Sequence, residues 1–282
     1  MCMKPKNPVA LKDMITDLGN TDFEIPVALG KTPEGENIMI DLRKAPHVLV
    51  AGTKQSGKTT LLHSIICSIL GTQQSENVRF VLAGLKDSEL SVYQTVTSLL
   101  CPVISDEDNL MKAMEAVADE IEDRVSFIKE NKGYRIHSIG SYNLLAEKHG
   151  LDKLPYIVLI VDEFAPAMYA RKGEFERLIR KITSVARILG IHLILTTGEP
   201  LLPNVITGTI WSNFPSTIAL RMDNRISSKL ILGQPGAEAL GCCGEALYKA
   251  RFDSPIIKFQ SAFVDEDTVK AVAFYNSFSR KH

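Results

Sequence analysis

The sequence predicts an α/β fold with a mostly parallel central sheet and helices on both faces. Three observations lead to this prediction. Short apolar runs rich in β-branched residues recur along the chain, and longer segments with helical periodicity separate them. One run, residues 156–161, is apolar at every position, which is typical of a central strand buried on both faces.

Six short runs are the predicted strands. They cover residues 47–51, 78–83, 156–161, 191–196, 216–221 and 256–263. Two stripes of apolar residues at helical spacing lie between them and predict the core-facing sides of helices. The stripes consist of Leu110, Met114, Val117, Ile121, Val125 and Ile128, and of Phe175, Leu178, Ile179, Ile182, Val185, Ala186 and Leu189.

The domain organisation is predicted to be simple. Residues 1–25 contain two prolines and little periodicity, so they are interpreted as an N-terminal arm or linker. Residues 26–282 show no internal repeat or linker and are assigned to one domain. Its last stretch, residues 264–282, predicts a helix that docks on the sheet.

The composition is that of a folded globular protein, with 45% apolar and 23% charged residues. It excludes a disordered chain, a collagen-like repeat and a disulfide-rich scaffold. The net charge is -1, so no global positive field draws the chain onto nucleic acid or an anionic membrane. Any contact with DNA must therefore depend on local geometry. No apolar run approaches the roughly 20 residues that span a bilayer.

The five cysteines are Cys2, Cys67, Cys101, Cys242 and Cys243, and their spacings fit neither a zinc site nor a redox disulfide. This pattern favours a reduced, cytoplasmic compartment, either for a free protein or for the cytoplasmic domain of a membrane-anchored one. Cys242 and Cys243 are adjacent, which is too close for an easy disulfide, and they lack partners for a metal. The sequence assigns them no chemistry.

A phosphate-binding motif follows the first predicted strand. The pattern G-x-x-x-x-G-K-[ST] is matched in full by Gly52, Thr53, Lys54, Gln55, Ser56, Gly57, Lys58 and Thr59, and Thr60 completes the predicted nucleotide-binding set. In such a loop, backbone N–H groups converge on phosphate oxygens and the next helix directs its positive end at them. We expect ATP here, with Lys58 on the β- and γ-phosphates and the Thr59 hydroxyl on Mg²⁺.

Two adjacent carboxylates, Asp162 and Glu163, follow the apolar run 156–161. The carboxyl ends of strands in doubly wound sheets are where ligands bind. Asp162 is predicted to hold Mg²⁺ through water, and Glu163 to orient or deprotonate the attacking water, so Glu163 and Lys58 are the predicted catalytic residues. An acidic pair here is equally typical of a turn or a helix cap, so its meaning depends on the upstream motif.

Several stretches resemble the motor domain of FtsK/SpoIIIE-type DNA translocases, in order from about Phe23 to the C-terminus. They are APHVLVAGTKQSGKTTLLHSIICSIL, SELSVYQTV, CPVISD, LPYIVLIVDEFA, GIHLILTT, PNVITGTIWSNFPSTIALRM, GQPGAE and FVDED. The resemblance implies a RecA-like P-loop NTPase fold. It also implies a homo-hexameric ring that pumps double-stranded DNA through its channel by ATP hydrolysis, with any membrane-anchored region or partner outside this chain.

Four segments depart from that family pattern. Gly84-Leu85-Lys86 stands where translocases usually have Asp-Pro-Lys, and Cys242-Cys243-Gly244-Glu245 replaces the GRGD-type segment. Gly198-Glu199 replaces a Gln-Arg pair whose glutamine is expected to sense the γ-phosphate or position water. In DNRISSK, Lys229 stands where the pattern has arginine and Arg225 where it has lysine. These last two are the candidate trans-acting residues, although lysine lacks the planar fork of an arginine finger.

Three functions remain open from the sequence. The intact phosphate loop and acidic pair favour an ATP-driven DNA translocase. The changes at Gly198, Glu199 and Lys229 favour a weakly hydrolysing, nucleotide-binding module for assembly or regulation. Type VII secretion ATPases share this domain family and move protein, which makes a protein cargo the third alternative.

Some further residues are candidates for surfaces. Arg171, Lys172 and Trp211 are predicted to face a DNA channel, because a ring multiplies a few phosphate contacts per subunit. A basic face at Arg177, Arg180, Lys181 and Arg187 is interpreted as solvated, with a protomer interface as the alternative.

Overall fold

The structure, a computed structural model, describes residues 8–85, 88–131, 136–200 and 205–278. Within those ranges ten strands form one mixed sheet. They are β1 (Val9–Ala10), β2 (Pro26–Lys31), β3 (Asn37–Asp41), β4 (His47–Ala51), β5 (Val78–Gly84), β6 (Tyr156–Asp162), β7 (Ile191–Thr197), β8 (Ser216–Leu220), β9 (Glu245–Lys249) and β10 (Ile256–Phe263). The order is β3-β2-β10-β9-β8-β4-β7-β6-β5, and β1 pairs with β10.

One half of the sheet is parallel. Strands β8, β4, β7, β6 and β5 pair side by side in that order, all in parallel. These are five of the six predicted strands, with ends that differ by no more than one residue. Strand β6 is buried along its whole length, as its unbroken apolar run predicts.

The other half of the sheet is antiparallel, which the prediction of a mostly parallel sheet did not foresee. Strand β10 was predicted, but it runs antiparallel to both β9 and β2, and β2 pairs with β3 in the same way. Burial alternates along β9, as expected for an antiparallel strand that is covered on one face. Strands β3 and β9 lack the continuous apolar signal that marked the parallel strands, and the apolar run of β2 is short and interrupted by Gly30, so all three were missed.

Helices cover both faces of the sheet, as predicted. One core lies under α1 (Lys12–Gly19), α2 (Lys58–Thr72) and α8 (Glu266–Tyr275). The other lies under α3 (Glu107–Glu130), α5 (Ala165–Leu189), α6 (Gly208–Asn213) and α7 (Arg225–Leu232). Helix α4 spans Ile139–His149, and short 3₁₀ turns span Glu89–Tyr93 and Ala237–Ala239. Within the described ranges, none of the helices is both long and apolar enough to cross a bilayer.

The N-terminal segment differs from the expected arm. Strand β1 pairs with β10, and α1 buries Met14 and Leu18 in the core under α2. Leu11, Met14 and Leu18 follow a helical spacing, a signal too short to stand out beside the nearby Pro8. Residues 8–25 are therefore packed into the fold, and residues 1–7 lie outside the described ranges.

Helix α5 carries its apolar stripe on the core side, except that Val185 is exposed. Its basic face meets the acidic face of α3. Arg177 pairs with Glu115 (3.3 Å), and Lys181 pairs with Glu122 (2.7 Å). These pairs are on the surface and contribute little each. They show that part of the predicted basic face is occupied by contacts within the chain.

Two histidines lie buried at the amino ends of the parallel strands. His192 is fully buried on β7, as a core histidine, and His47 begins β4. Burial lowers the pKa of His47 to about 4, and burial together with the nearby His47 lowers the pKa of His192 to about 3. Both rings are therefore neutral in the folded protein at neutral pH.

The stability of the protein is expected to fall as the pH drops below about 6.5. Because the folded pKa values lie below the unfolded value, the unfolded chain takes up protons first. At pH 5 each histidine is expected to cost about 2 kcal/mol of unfolding free energy relative to neutral pH. Urea unfolding between pH 5 and 7.5 measures this slope. His192→Gln is expected to remove the His192 share of that slope, about 2 kcal/mol between neutral pH and pH 5, and an unchanged slope would show that burial does not hold His192 neutral.

Candidate nucleotide site

The loop that follows β4 lies at the carboxyl edge of the parallel strands. The Gly52 N–H donates to the Thr197 carbonyl at the end of β7 (3.2 Å). On the other side, the Thr53 N–H and hydroxyl both donate to the Arg221 carbonyl just after β8 (2.9 and 3.1 Å). The loop is thus fixed to both neighbours of β4, at the position where doubly wound sheets bind ligands.

The two motif glycines are required by close packing. A Cβ on Gly57 would lie 2.7 Å from the Gly244 nitrogen, and Gly57 has a φ of +108°, which favours glycine. A Cβ on Gly52 would lie 2.6 Å from Ser56 Oγ. The Ser56 carbonyl accepts a hydrogen bond from the Gly244 N–H (2.8 Å), so the segment before β9 braces the loop from outside.

Lys58 is the buried cation of the site. Its side chain is only 9% exposed, and its Nζ donates to the Gly52 carbonyl (2.9 Å). The same Nζ forms an ion pair with Glu163 Oε1 (3.0 Å). The structure therefore places both predicted catalytic residues in direct contact, with the lysine folded back over its own loop.

Asp162 ends β6, and its side chain is buried. Its two oxygens accept hydrogen bonds from two hydroxyls, Oδ1 from Thr196 (2.5 Å) and Oδ2 from Ser88 (3.0 Å). Burial raises the pKa of the Asp162 carboxyl, and the two hydroxyls oppose that shift. Thr196 and Ser88 thus favour the charged form of the Asp162 carboxyl, against the effect of burial.

Glu163 follows in a left-handed backbone conformation, with a φ of +53°. Its N–H donates to the Thr196 hydroxyl (3.0 Å), and its Oε2 accepts from the Gly198 N–H (2.8 Å). Such strained backbone is common at functional sites. Thr196 therefore touches both carboxylate residues, and sequence reasoning missed it. Nothing in its local sequence marks it, because its place beside the acidic pair is set by the pairing of β7 with β6.

Gly198 lies inside the site. A Cβ at this position would lie 3.2 Å from both Glu163 Oε1 and Lys58 Nζ. The Gly198-Glu199 segment, which replaces the family's Gln-Arg pair, therefore leaves room for the ion pair between Lys58 and Glu163. It offers Glu163 the backbone N–H of Gly198 as a hydrogen-bond donor, in place of a glutamine side chain. Glu199 continues the segment, and its N–H donates to the Thr197 hydroxyl (3.1 Å).

Gly84 explains a second departure from the family pattern. A Cβ on Gly84 would lie 2.2 Å from the Ser88 Cβ, so no side chain fits there while Ser88 reaches Asp162. Lys86, the third residue of the Gly84-Leu85-Lys86 segment, lies outside the described residues. Glycine at 84 and serine at 88 are therefore complementary, and the pair supplies Asp162 with a hydroxyl donor.

Gly84→Ala is expected to destabilise the protein by about 1 to 3 kcal/mol because it overpacks Ser88. Adding Ser88→Gly should restore most of that loss, so the double substitution should be less destabilising than the sum of the two. Urea unfolding of the four proteins in this cycle measures the coupling. Additive effects would mean that residues 84 and 88 do not compete for space.

The residues at this edge fit a nucleotide with its magnesium ion. Ser56 Oγ is buried and finds no hydrogen-bond partner among the described residues, which suits a loop that receives a polar ligand. Mg²⁺ is usually held by one or two carboxylates together with phosphate oxygens and water. Asp162 supplies a carboxylate, and the half-buried Thr59 adds a hydroxyl oxygen.

Comparison with known proteins identifies the family. The sequence model of the FtsK/SpoIIIE family matches residues 15–203, which is more than half of the chain. The chain belongs to the FtsK/SpoIIIE family. The match includes the phosphate loop and the acidic pair, so the resemblance seen in the sequence is confirmed.

Curated relatives agree with this assignment. The DNA translocase FtsK of Haemophilus influenzae is 35% identical over 290 residues, which cover 94% of this chain and 54% of that protein. The DNA translocase FtsK of Borreliella burgdorferi is 36% identical over 250 residues, covering 88% of this chain and 31% of that protein. The chain therefore spans about a third to about half of these FtsK relatives.

Solved structures show the same fold. The cytoplasmic domain of the type VII secretion ATPase EccC from Thermomonospora curvata has a TM-score of 0.80 at 20% identity, covering 98% of this chain and 35% of that one. The pCW3 conjugation coupling protein TcpA, solved as a monomer with ATPgS, has a TM-score of 0.79 at 24% identity, covering 97% and 75%. The predicted RecA-like P-loop fold is thus confirmed for this FtsK/SpoIIIE domain.

The candidate trans-acting residues of the FtsK/SpoIIIE domain lie on α7, which follows β8 at the same edge as the phosphate loop. Arg225 and Lys229 are both exposed. Arg225 Nε lies 3.4 Å from Glu238 Oε1, whereas Lys229 forms no ion pair within the described ranges. They lie one turn apart on the exposed face of α7, whose other face buries Ile231 and Leu232.

The three predicted DNA-channel residues do not come together. Arg171 lies at a kink in α5, where it pairs with Asp108 and with Glu174 (3.1 Å), and Lys172 follows it, half-buried. Trp211 lies on α6, which contacts α5 at Arg180, nine residues further on and about 14 Å along the helix. Arg171 is thus held by acidic partners and is separated from Trp211.

Trp211 stacks on Phe252, with ring centroids 4.5 Å apart, and its side chain is 40% exposed. Phe252 follows β9, whose end pairs with the start of β8. The two rings therefore lie beyond the amino ends of the parallel strands, at the opposite edge of the sheet from the phosphate loop. Exposed stacked aromatics of this kind are a feature that the sequence alone could not reveal, because 41 positions separate the two residues.

Proposed function

We propose that this chain is the ATP-hydrolysing motor domain of a translocase that moves double-stranded DNA as a homo-hexameric ring in the cytoplasm. The observation that carries the proposal is the convergence of Lys58, Asp162 and Glu163 at one edge of the sheet in a member of the FtsK/SpoIIIE family. The relatives named DNA translocase support DNA as the cargo.

Each residue of the site has a separate role in the proposed hydrolysis of ATP. Lys58 leaves Glu163 and binds the β- and γ-phosphates of ATP, which frees the Glu163 carboxylate to take the proton of an attacking water. Asp162 and Thr59 would hold Mg²⁺, which supplies charge neutralisation on the phosphates. Thr196 orients both acidic residues through one hydroxyl. The Gly198 N–H holds Glu163 Oε2, while Oε1 faces Lys58 of the loop.

Assembly is part of the proposal because a single subunit is poorly equipped to hold DNA. The net charge of -1 provides no general attraction to phosphate, so binding must add up over several subunits. Exposed Arg225 and Lys229 are proposed to approach the γ-phosphate bound by the next subunit. Arg225 would first have to leave Glu238.

Hydrolysis of ATP with and without long duplex DNA tests the proposal. A motor is expected to hydrolyse faster when DNA fills the ring, at protein concentrations where sedimentation shows the hexamer. A rate that duplex DNA does not change would refute the DNA-motor assignment. A protein substrate that stimulates hydrolysis instead would assign the chain to the protein-moving branch of the fold.

A second candidate is a weakly hydrolysing module for assembly or regulation. The observation that favours it is Gly198, which places no side chain where the family pattern has a glutamine beside the γ-phosphate. Nucleotide-dependent assembly with slow hydrolysis, unaffected by DNA, would support this function. The same hydrolysis assay therefore separates the two candidates.

Trp211 is expected to report DNA binding directly, because it is the one tryptophan of the chain. If the Trp211–Phe252 stack faces the channel, duplex DNA should change the tryptophan fluorescence of the assembled protein. The apparent affinity should fall steeply with salt concentration, since the contacts are mainly to phosphates. Phe252→Leu keeps an apolar residue at 252 and should weaken the signal. If duplex DNA leaves the tryptophan fluorescence unchanged, the Trp211–Phe252 stack does not lie on the channel surface.

A further inference from the structure

Cys242 and Cys243 lie in the tight segment that precedes β9. Cys242 is exposed and Cys243 is half-buried, and both are reduced. Their sulfur atoms are 3.1 Å apart, which is in contact. Cys243 has a left-handed φ of +66°, which brings the two side chains to one side of the chain. The structure thus pairs two thiols to which the sequence assigned no function.

This segment is in direct contact with the phosphate loop. The Gly244 N–H donates to the Ser56 carbonyl (2.8 Å), and a Cβ on Gly57 would meet the Gly244 nitrogen at 2.7 Å. On its other side the Cys243 carbonyl accepts from Gln260 Nε2 (2.8 Å). The backbone at 243–244 is therefore fixed between β10 and the nucleotide site, and a change in its course must move one of them.

We propose that Cys242 and Cys243 are a modification site that reacts with low-molecular-weight disulfides such as glutathione disulfide, closes to a vicinal disulfide, and thereby weakens nucleotide binding at the adjoining loop. The inference rests on the proposed binding of ATP at that loop. It adds a reversible control of the same site by thiol–disulfide exchange.

The exchange proceeds in two steps. The exposed Cys242 thiolate attacks one sulfur of glutathione disulfide, forming a mixed disulfide and releasing one glutathione thiolate. The Cys243 thiolate then attacks the Cys242 sulfur, which forms the Cys242–Cys243 bond and releases the second glutathione. Two protein thiols are oxidised, one glutathione disulfide is reduced to two thiols, and the two cysteine protons end on the leaving groups.

Closing the bond requires the backbone to adjust. The sulfurs must approach from 3.1 Å to about 2.05 Å. Adjacent Cα atoms are about 3.8 Å apart, shorter than the separation of about 4.4 to 6.8 Å in ordinary disulfides. A strained, exposed disulfide is readily reduced again. The spacing that argues against a structural disulfide therefore suits a reversible one.

The other described cysteines are less suited to this reaction. Burial raises the pKa of the Cys67 thiol to about 11, and burial also raises the pKa of Cys101. A raised pKa leaves less of the reactive thiolate. Neither has another described cysteine as a neighbour for ring closure. Exchange at Cys242 and Cys243 is therefore expected to be faster than at these two positions.

The test compares the reduced chain with the chain treated with glutathione disulfide. Peptide mapping after alkylation should show a peptide with Cys242 joined to Cys243, which carries no alkyl group and is lighter by two hydrogens than the unalkylated reduced peptide. The dissociation constant for trinitrophenyl-ATP, measured with no other ligand in the buffer, should rise about tenfold. This is the loss of affinity expected when one backbone hydrogen bond to the loop is broken. Dithiothreitol should restore the original value.

Cys242→Ser is the matched control, since the side chain at 242 is exposed and serine cannot form a disulfide. It should bind trinitrophenyl-ATP as the reduced protein does, before and after treatment. Glutathione adducts without a closed ring, or a closed ring with unchanged affinity, would overturn the inference while leaving nucleotide binding intact. If the reduced protein binds no trinitrophenyl-ATP at all, the proposed function fails and this inference fails with it.

Discussion

Replacing Glu163 with glutamine is expected to reduce ATP hydrolysis by about 10²- to 10⁴-fold while nucleotide binding is kept or tightened. The loss follows because an amide cannot accept the proton of the attacking water. The gain in binding follows from the ion pair between Glu163 Oε1 and Lys58 Nζ (3.0 Å), which competes with phosphate for the lysine. Glutamine keeps the acceptor for the Gly198 N–H, so the local structure should persist.

Steady-state hydrolysis and trinitrophenyl-ATP binding measure the two effects separately. Glu130→Gln, at an exposed position on α3, is the control for removing one negative charge. It should leave both quantities unchanged. A Glu163→Gln protein that hydrolyses ATP at the normal rate would show that another group, or water alone, accepts the proton.

Replacing Lys58 with alanine is expected to weaken nucleotide binding by about 10- to 100-fold, the value of a charge-assisted hydrogen bond to phosphate. Hydrolysis should fall further, because the lysine also neutralises charge that develops on the γ-phosphate. Folding should be nearly unaffected, since the partly exposed Glu163 keeps its hydrogen bond from the Gly198 N–H.

Lys12→Ala removes the same charge from an exposed position on α1 and serves as the control. Binding of trinitrophenyl-ATP and thermal unfolding should be measured on both proteins. If the Lys58→Ala protein binds trinitrophenyl-ATP with normal affinity, the loop does not hold the β- and γ-phosphates. Loss of folding in Lys58→Ala would instead make the lysine a structural residue.

The parallel half of the fold could be predicted because the sequence of each segment alone carries the signal for its structure. A buried parallel strand must be apolar throughout, and a phosphate loop needs its glycines at fixed positions, as the φ of +108° at Gly57 illustrates. Lys58, Asp162 and Glu163 could be predicted for the same reason, since each follows directly from a strand or the loop. The sheet topology then brings them together.

The remaining features depend on contacts between distant segments. Thr196 and Ser88 reach Asp162 only because β5, β6 and β7 are neighbours in the sheet, and nothing in either local sequence marks them. Gly84 is explained by Ser88, and Cys243 by the approach of its segment to the phosphate loop. Strands β3 and β9 were missed because alternating burial is a weak signal over five residues, and β2 was missed because its apolar run is short and interrupted by Gly30.

The most direct test of the account is whether ATP hydrolysis moves the assembled protein along duplex DNA. A long duplex that carries a triplex-forming strand at one end provides the measurement. The assembled protein is expected to displace the third strand with ATP and Mg²⁺, and the Glu163→Gln protein is expected not to. Hydrolysis that duplex DNA leaves unchanged, with the third strand still bound, would contradict this expectation.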